Sequence, residues 1–313
     1  MPANTTSPIR LGIVGVGKIV RDQHLPALAK NPDYRLVATA SRNATVDGVQ
    51  SFTSIEEMLD AVKELDAVSL CQPPQVRYQA ARQALEAGKH VFLEKPPGAT
   101  VSEVEDLKVL AANKGVSLFA SWHSRYAPAV EAARAFLAAN PPNSVTITWK
   151  EDVRRWHPGQ EWIWRAGGFG VFDPGINALS IATHIIPTAF FVTSATLDFP
   201  ENRDAPVAAE ISFSASNGMP LTMDLDWLQT GPQTWDIVAE TAAGRMVLSS
   251  GGARLAIDGK TLHEEPEAEY PRLYERFAEV VRTGVSDVDI APLQHVADAF
   301  MLGKRRVVEP FFD

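Results

Sequence analysis

The chain has 313 residues, a formal net charge of -9, 45% hydrophobic residues and 21% charged residues. This length favours two domains over one hydrophobic core, and the composition is that of a globular protein. The acidic balance argues against nucleic acid or an anionic membrane as a partner, and no stretch approaches the roughly 18 apolar residues of a membrane span.

Cysteine content and the N-terminus bear on the cellular compartment. Cys71 is the only cysteine, which rules out an intrachain disulfide and makes a thiolate metal site a poor hypothesis. Residues 1–8 are polar and lack the apolar run of a signal peptide. Together these features favour a reducing cytoplasm.

The first 120 residues alternate between short apolar runs and helical stretches. Strands are predicted at 10–14, 35–41, 67–71, 90–93 and 116–120. Ser54 and Ser102 each have a glutamate three residues later, as in a capping box, and Gly88 and Gly115 stand where helices end. The alternation predicts an α/β domain over 1–121, with a parallel sheet and helices on both faces.

Residues 122–313 show a different pattern. Alternating apolar and polar residues predict strands at 145–150, 191–199, 208–216, 221–228, 234–240 and 246–249. Such runs indicate an α+β domain with a large, open, mostly antiparallel sheet that has two unlike faces. Helices are predicted near Pro174 and over 271–282 and 292–304. We expect the C-terminal helix, about 290–306, to pack back on the first domain.

The first predicted strand ends in Gly15-x-Gly17-x-x-Val20, an incomplete form of the dinucleotide fingerprint. The two glycines permit a tight turn and close approach of the backbone to a pyrophosphate at a helix N-terminus. Lys18 and Ile19 would open that helix beside the pyrophosphate. Glycine turns are common, but this one lies directly between a strand and a helix, which favours a cofactor site.

Ser41 and Arg42 follow the second predicted strand, where NAD-binding domains usually place a carboxylate for the ribose 2'-hydroxyl. A hydroxyl beside a guanidinium suits a 2'-phosphate, which a carboxylate would repel. The alternative is that Arg42 is only a solvated loop charge. We therefore expect NADP to be accepted at least as well as NAD.

Two further loops follow predicted strands of the same sheet. Gln72 and Pro73 come after the third strand, and Glu94 and Lys95 after the fourth. Ligands of open α/β sheets bind beyond the carboxyl ends of the strands, so all four residues are predicted to contact the cofactor. Lys95 could be an ordinary surface lysine, but two prolines after it restrict the loop and favour a fixed side chain near the nicotinamide.

Residues 149–180 combine four tryptophans, a histidine, carboxylates and a glycine cluster. Apolar surface beside hydrogen-bonding side chains is typical of a pocket for a polyhydroxylated ligand. Glu151 and His157 are candidate partners of ligand hydroxyls, and Trp156 is a candidate platform, although each could be structural. Two residues outside the stretch complete the predicted substrate site, namely His123 at the domain junction and Trp235 in a later strand.

Asp173 precedes Pro174, as an N-cap residue often precedes a proline in the first helical turn. Capping alone could explain the aspartate. Asn177, however, lies four residues later and would share its helix face. Helix capping does not explain why a carboxylate and an amide lie on one face beside Lys95. Asp173 and Asn177 are therefore predicted to bind substrate and to take part in catalysis.

The glycine turn, Glu94-Lys95-Pro96 and the motif G-G-x-G-x-x-D-x-G-x-N over 167–177 together resemble the Gfo/Idh/MocA family across essentially the whole chain. The segments W-K-E-D-V-R-R-W-H-P-G-Q and F-D-P-G-I-N-A-L-S look like its branch that oxidises galactose-configured aldoses. The resemblance implies a Rossmann domain and NAD(P)-dependent oxidation of D-galactose, D-fucose or L-arabinose at C1 to the lactone. The family usually has histidine where Asn177 stands.

The resemblance also implies that Lys95, Asp173 and Asn177 line the reaction site, and two candidate bases stay open. Asp173 could accept the proton while Lys95 stabilises the developing alkoxide, or neutral Lys95 could itself be the base. Alternatives to a sugar dehydrogenase are an inositol or polyol dehydrogenase and a non-catalytic NADP-binding sensor. No metal is expected, because no metal-ligand spacing is present. A homodimer through the C-terminal sheet would cover its open face.

Overall fold

The computed structural model describes residues 7–312, so most of the polar N-terminal segment lies outside the described residues. The chain forms two compact units. One contains the residues up to Ser121 together with Tyr270–Asp289, and the other contains Trp122–Glu269 and the residues from Ile290 onward. Residues 270–289 thus belong to the first unit, whereas the predicted C-terminal helix, about 290–306, belongs to the second.

Six parallel strands form the sheet of the first unit, which we call the nucleotide-binding unit. They are β1 (Ile9–Val14), β2 (Tyr34–Ala40), β3 (Gln50–Phe52), β4 (Ala67–Leu70), β5 (His90–Glu94) and β6 (Leu118–Ser121). The order β3-β2-β1-β4-β5-β6 reverses direction between β1 and β4, as in a Rossmann fold. The predicted parallel sheet is confirmed. The sequence missed β3, which has only three residues and little buried apolar surface.

Nine α-helices accompany the two sheets in the described part of the chain. They are α1 (Leu25–Ala29), α2 (Ile55–Ala61), α3 (Arg77–Glu86), α4 (Val101–Lys114), α5 (Val130–Ala139), α6 (Val153–Trp156), α7 (Phe172–Ile185), α8 (Glu269–Thr283) and α9 (Ala291–Leu302). A π-helical turn, Val20–His24, leads into α1. None of the helices is long and apolar enough to cross a membrane.

Two N-terminal helix caps were predicted from the sequence, and the structure contains one of them. The Ser54 hydroxyl accepts a hydrogen bond from the Glu57 amide, so the predicted cap of α2 is present. The predicted box at Ser102 is wrong, because α4 starts at Val101. The cap is Thr100, whose hydroxyl accepts from the Glu103 amide while the Glu103 carboxylate accepts from the Thr100 amide.

Helix α8 packs on the first sheet through aromatic rings. Tyr274 and Phe277 are fully buried, with ring centroids 5.4 Å from Phe92 and 5.6 Å from Phe119, respectively. Tyr34 adds an edge contact to Tyr274 at 5.1 Å. The sheet of the nucleotide-binding unit therefore buries part of its apolar face under a segment from near the end of the chain.

The second unit, which we call the substrate unit, is built on a nine-stranded sheet. Its strands are β7 (Pro142–Lys150), β8 (Phe190–Pro200), β9 (Ala208–Ala215), β10 (Pro220–Asp226), β11 (Thr234–Thr241), β12 (Gly244–Ser249), β13 (Arg254–Ile257), β14 (Lys260–Glu264) and β15 (Gly303–Val308). The order is β14-β13-β12-β11-β7-β10-β9-β8-β15. Pairs β7–β10 and β8–β15 are parallel and the other pairs antiparallel, which confirms an open, mostly antiparallel sheet.

One face of this sheet is covered by helices. Burial alternates along β10, where Leu221, Met223 and Leu225 are buried while their neighbours are not. Helix α9 packs against α7 and β8: the Phe300 ring lies 5.2 Å from Phe172. The His295 ring stacks 4.7 Å from that of Phe190. These contacts explain why the last helix stays with the substrate unit.

Candidate active site

The glycine turn of the nucleotide-binding unit fits a dinucleotide. Gly15 has a φ of +88°, and a Cβ there would lie 2.7 Å from the Gln72 backbone nitrogen, so a side chain is excluded. A Cβ on Gly17 would meet nothing within 4 Å, so the turn leaves open space where the helical stretch begins at Lys18. Buried Val20, in place of a third glycine, starts the π-helical turn. The backbone amides at this helix start are thus placed to receive a pyrophosphate.

Ser41 and Arg42 directly follow β2, as the sequence predicts. The Ser41 amide donates to the Phe52 carbonyl at 2.9 Å, which ties the loop to β3. Arg42 is exposed. Its guanidinium is therefore accessible to a solvent-facing phosphate at this end of the sheet.

The Glu94 side chain turns into the protein rather than toward the open edge of the sheet. Glu94 is 4% exposed, and its Oε1 accepts a hydrogen bond from the Tyr270 hydroxyl at 2.6 Å and lies 3.0 Å from His24 Nε2. Its Oε2 accepts from the Lys95 backbone amide at 2.6 Å. These bonds use the Glu94 carboxylate to hold the backbone of Lys95, and the contact of Glu94 with the cofactor stays a prediction.

His24 joins this buried group to helix α8. Its Nδ1 lies 2.7 Å from the Tyr274 hydroxyl, and Cys71 Sγ is 3.6 Å from its Nε2. Burial lowers the pKa of His24, but Cys71, Tyr274 and the hydrogen bond to Glu94 outweigh burial and raise it well above its usual value. The group His24–Glu94–Tyr270–Tyr274 could not be anticipated from the sequence, since α8 lies about 180 residues after Glu94.

Arg77 connects the two predicted cofactor loops. It is 2% exposed and donates to the Gln72 carbonyl from Nε at 3.1 Å and from Nη2 at 2.6 Å. Its Nη1 donates to the carbonyls of Glu94 and Pro96. The loops that carry Gln72, Pro73 and Lys95 are therefore fixed to each other by one guanidinium. Arg77 was not predicted as a site residue.

In the substrate unit, α7 begins at Phe172 with Val171 as its N-cap residue. The alternative that Asp173 is the N-cap is therefore wrong, because the N-cap lies two residues earlier. Asp173 is a buried residue of the first turn, and its Oδ2 lies 3.5 Å from His157 Nε2. The Asp173 carboxylate is therefore close to the His157 imidazole, which makes the two side chains candidates for one site.

Glu151 is the second buried carboxylate near His157. Its Oε1 accepts a hydrogen bond from Trp227 Nε1 at 3.2 Å, and its Oε2 accepts from Trp235 Nε1 at 2.9 Å. His157 Nε2 lies 3.9 Å from Glu151 Oε1. The imidazole thus lies between two carboxylates, one of which is oriented by two indoles. The predicted group of Glu151, His157, Asp173 and Trp235 comes together.

Tryptophans form the wall beside these groups. Trp156 is 38% exposed, and its ring lies 5.6 Å from that of Trp235, which in turn lies 6.4 Å from Trp149 across the β7–β11 pair. Trp227 is fully buried, and its ring lies 5.2 Å from His157. Trp227 was not predicted as a site residue. Its sequence signal was weak, because it lies in the predicted strand 221–228 like any core tryptophan.

The remaining predicted residues lie in different surroundings. Asn177 is on α7 one turn after Asp173, and its carbonyl accepts from the Ser180 hydroxyl at 2.7 Å. His123 Nδ1 pairs with Glu269 and lies 3.3 Å from the Ser124 hydroxyl. Between residues 7 and 312, no group of three or more His, Cys, Asp or Glu side chains is placed to hold a metal ion.

Comparisons with known proteins place the chain in a family. Residues 9–121 match the family described as "Oxidoreductase family, NAD-binding Rossmann fold", GFO_IDH_MocA. A galactose 1-dehydrogenase of Pseudomonas fluorescens is 45% identical over 306 residues, covering 98% of this chain and 99% of that protein. The chain belongs to the Gfo/Idh/MocA oxidoreductase family. The predicted membership and the predicted nicotinamide cofactor are confirmed.

Solved structures agree with the fold. The crystal structure of a D-galactose-1-dehydrogenase protein from Rhizobium etli is 68% identical, with a TM-score of 0.95, and covers 98% of this chain and 99% of that chain. A 3-ketoreductase from Actinomadura kijaniata, crystallised with NADP and TDP-benzene, is 19% identical with a TM-score of 0.83, covering 96% of this chain and 99% of that one. At that identity the second likeness concerns the fold alone.

Proposed function

We propose that the chain is an NAD(P)-dependent aldose 1-dehydrogenase that oxidises a galactose-configured sugar at C1 to the aldonolactone. Similarity to the Pseudomonas fluorescens galactose 1-dehydrogenase over nearly the whole of both chains supports this activity. The 68% identical Rhizobium etli protein is named for the same reaction. D-Galactose, D-fucose and L-arabinose share one ring configuration and are the proposed substrates.

The observation that carries the proposal is the group in which His157 lies between Glu151 and Asp173 beside tryptophan rings. Sugars present hydroxyls for hydrogen bonds and C–H faces for aromatic contact. Carboxylates, an imidazole and indole rings supply both kinds of contact in one place. We assign hydroxyl recognition to Glu151 and His157 and the platform to Trp156 and Trp235.

In the proposed mechanism Asp173 accepts the proton of the C1 hydroxyl. His157 Nε2 lies 3.5 Å from Asp173 Oδ2 and is placed to orient that carboxylate. The bound nicotinamide supplies the hydride acceptor. Lys95 is the alternative base, and its backbone is held by Glu94. The pH–rate profiles of Asp173→Ala and Lys95→Met distinguish the two assignments, because the variant that lacks the base loses the corresponding limb of the profile.

For the cofactor, we propose that NADP is used at least as well as NAD. Arg42 is exposed at the end of β2, where a carboxylate would otherwise select the ribose 2'-hydroxyl of NAD. The guanidinium offers a charge-assisted hydrogen bond to a 2'-phosphate.

The decisive experiment is initial rate against concentration for D-galactose, L-arabinose and D-glucose, each with NADP and with NAD. D-Galactose and L-arabinose should have specificity constants within about two decades of each other, because they differ only at C5. D-Glucose, the C4 epimer, should be markedly poorer, since a misplaced hydroxyl leaves buried polar groups unpaired. A preference for D-glucose would overturn the galactose-configured assignment, and no oxidation of any aldose would overturn the activity.

We also propose that two copies associate through the uncovered face of the nine-stranded sheet. On that face a groove of about 230 Å³ is lined by residues that include Lys150, Asp198, Asp224 and Arg306. The side chains form the ion pairs Lys150–Asp224 and Arg306–Asp198, so these opposite charges of the polar groove neutralise each other. Two-fold symmetric dimers, in which both copies use the same patch, are the commonest homo-oligomers. Light scattering coupled to gel filtration tests it, and a monomeric mass at micromolar concentration would contradict it.

A further inference from the structure

The C-terminal residues fold back onto the substrate unit after β15. The amide of Phe311 donates to Asn202 Oδ1 at 2.9 Å, and Asn202 Nδ2 donates to the Phe311 carbonyl at 2.8 Å. The Phe312 carbonyl accepts from Arg154 Nη2 at 3.1 Å. Three hydrogen bonds therefore fix the backbone of two residues at the end of the chain.

The ring of Phe311 is buried among three side chains. Its centroid lies 4.9 Å from that of Trp164, and the guanidinium carbons of Arg154 and Arg203 lie 4.6 Å and 5.7 Å from it. Phe311 is 4% exposed, whereas the adjacent Phe312 is 70% exposed. Arg154 and Trp164 belong to the segment 153–164, which also carries His157.

Trp164 connects Phe311 to the proposed substrate site, because its ring contacts rings on both sides. Its ring lies 5.1 Å from that of Trp227. Trp227 donates its indole hydrogen to Glu151 and packs 5.2 Å from the His157 ring. A continuous row of packed rings therefore runs from Phe311 through Trp164 and Trp227 to the side chains assigned to sugar recognition.

We infer that Phe311 is a positioning residue for sugar binding, which keeps the segment 153–164 and Trp227 in the arrangement that orients Glu151 and His157. This inference rests on the proposed function. Its physical basis is preorganisation: a site whose supporting side chains are fixed loses less conformational entropy when the ligand binds. The C-terminal residues would thus act on the sugar site without touching the sugar.

The test compares Phe311→Ala with Phe312→Ala, which remove the same ring from adjacent positions, one buried and one exposed. Phe311→Ala should raise the KM for D-galactose roughly three- to tenfold, the loss expected from one buried aromatic contact. The KM for NADP should change less than about twofold, because the nucleotide-binding unit is untouched. Phe312→Ala should match the wild type, and Phe311→Leu should recover part of the loss because it refills much of the space.

A second readout does not need the activity. Amide hydrogen exchange in the segment 153–164 should be faster in Phe311→Ala than in Phe312→Ala, while exchange in the strands of the nucleotide-binding unit stays the same. An unchanged sugar KM with only a lower melting temperature would overturn the inference and make Phe311 merely structural. If the wild type oxidises no sugar, the proposed function fails, and the exchange comparison alone decides whether Phe311 fixes this segment.

Discussion

Tyr270→Phe removes one hydroxyl from the buried group around Glu94. That hydroxyl donates to Glu94 Oε1 at 2.6 Å, and both residues are nearly inaccessible to solvent. A hydrogen bond to a charged group contributes about 1.5–3 kcal/mol, and water cannot replace the lost donor at a buried site. For a unit of this size we expect the melting temperature to fall by roughly 3–10 °C.

Tyr78→Phe is the matched control for this substitution. The Tyr78 hydroxyl donates to Asp106 at 2.7 Å on the surface of the same unit, where water replaces the lost bond. We expect its cost to be below about 1 kcal/mol. Differential scanning calorimetry of the two variants gives the comparison. Equal losses would refute the reasoning that burial makes the Tyr270–Glu94 hydrogen bond the stronger contributor.

Three further predictions concern single side chains. Arg42→Ala should raise the KM for NADP roughly ten- to hundredfold and leave that for NAD nearly unchanged, and equal effects would contradict the 2'-phosphate assignment. Asp173→Ala should lower turnover by about 10²–10⁴-fold while calorimetry still detects cofactor binding, whereas near-normal turnover would exclude Asp173 as the base. Burial alone would raise the pKa of Asp66, but its hydrogen bonds to Arg10 lower it. The stability that Asp66 contributes is therefore present above its unfolded-state pKa of about 3.9 and lost as the pH falls through the lower folded value. Urea unfolding should show Asp66→Asn less stable than wild type at pH 7, with the difference shrinking toward pH 3.

Local patterns in the sequence predicted much of the fold. Alternation along β10 and the apolar run of β5 depend only on neighbouring residues, and both strands are present. β15 was predicted to be the end of a helix, because its Lys-Arg-Arg run has no apolar alternation and its strand conformation depends on pairing with β8. The packing of α8 on the first sheet could not be predicted either, because a helix pattern shows which face is apolar but not which element that face packs against.

Site residues that belong to a local sequence motif could be predicted. Site residues that only strand pairing brings together could not. Glu151 directly follows β7 and Trp227 directly follows β10, and these parallel neighbours place the two residues at the same edge. Without the strand order, Trp227 looked like any tryptophan of a strand. Asp173 is not the N-cap for a related reason, because a helix that starts two residues earlier makes it a residue of the first turn instead.

The path of the chain between the two units has a consequence for synthesis on the ribosome. Helix α8 covers Phe92 and Phe119, yet it is made about 150 residues after β6 completes the first sheet. At typical elongation rates of 5–20 residues per second, the aromatic face of that sheet stays uncovered for on the order of ten seconds before α8 is synthesised. During that interval the strands β7 to β14 of the substrate unit are made. A nascent chain of this protein therefore presents an apolar surface that chaperones can bind, and a fragment ending at residue 121 should aggregate unless the residues of α8 are supplied.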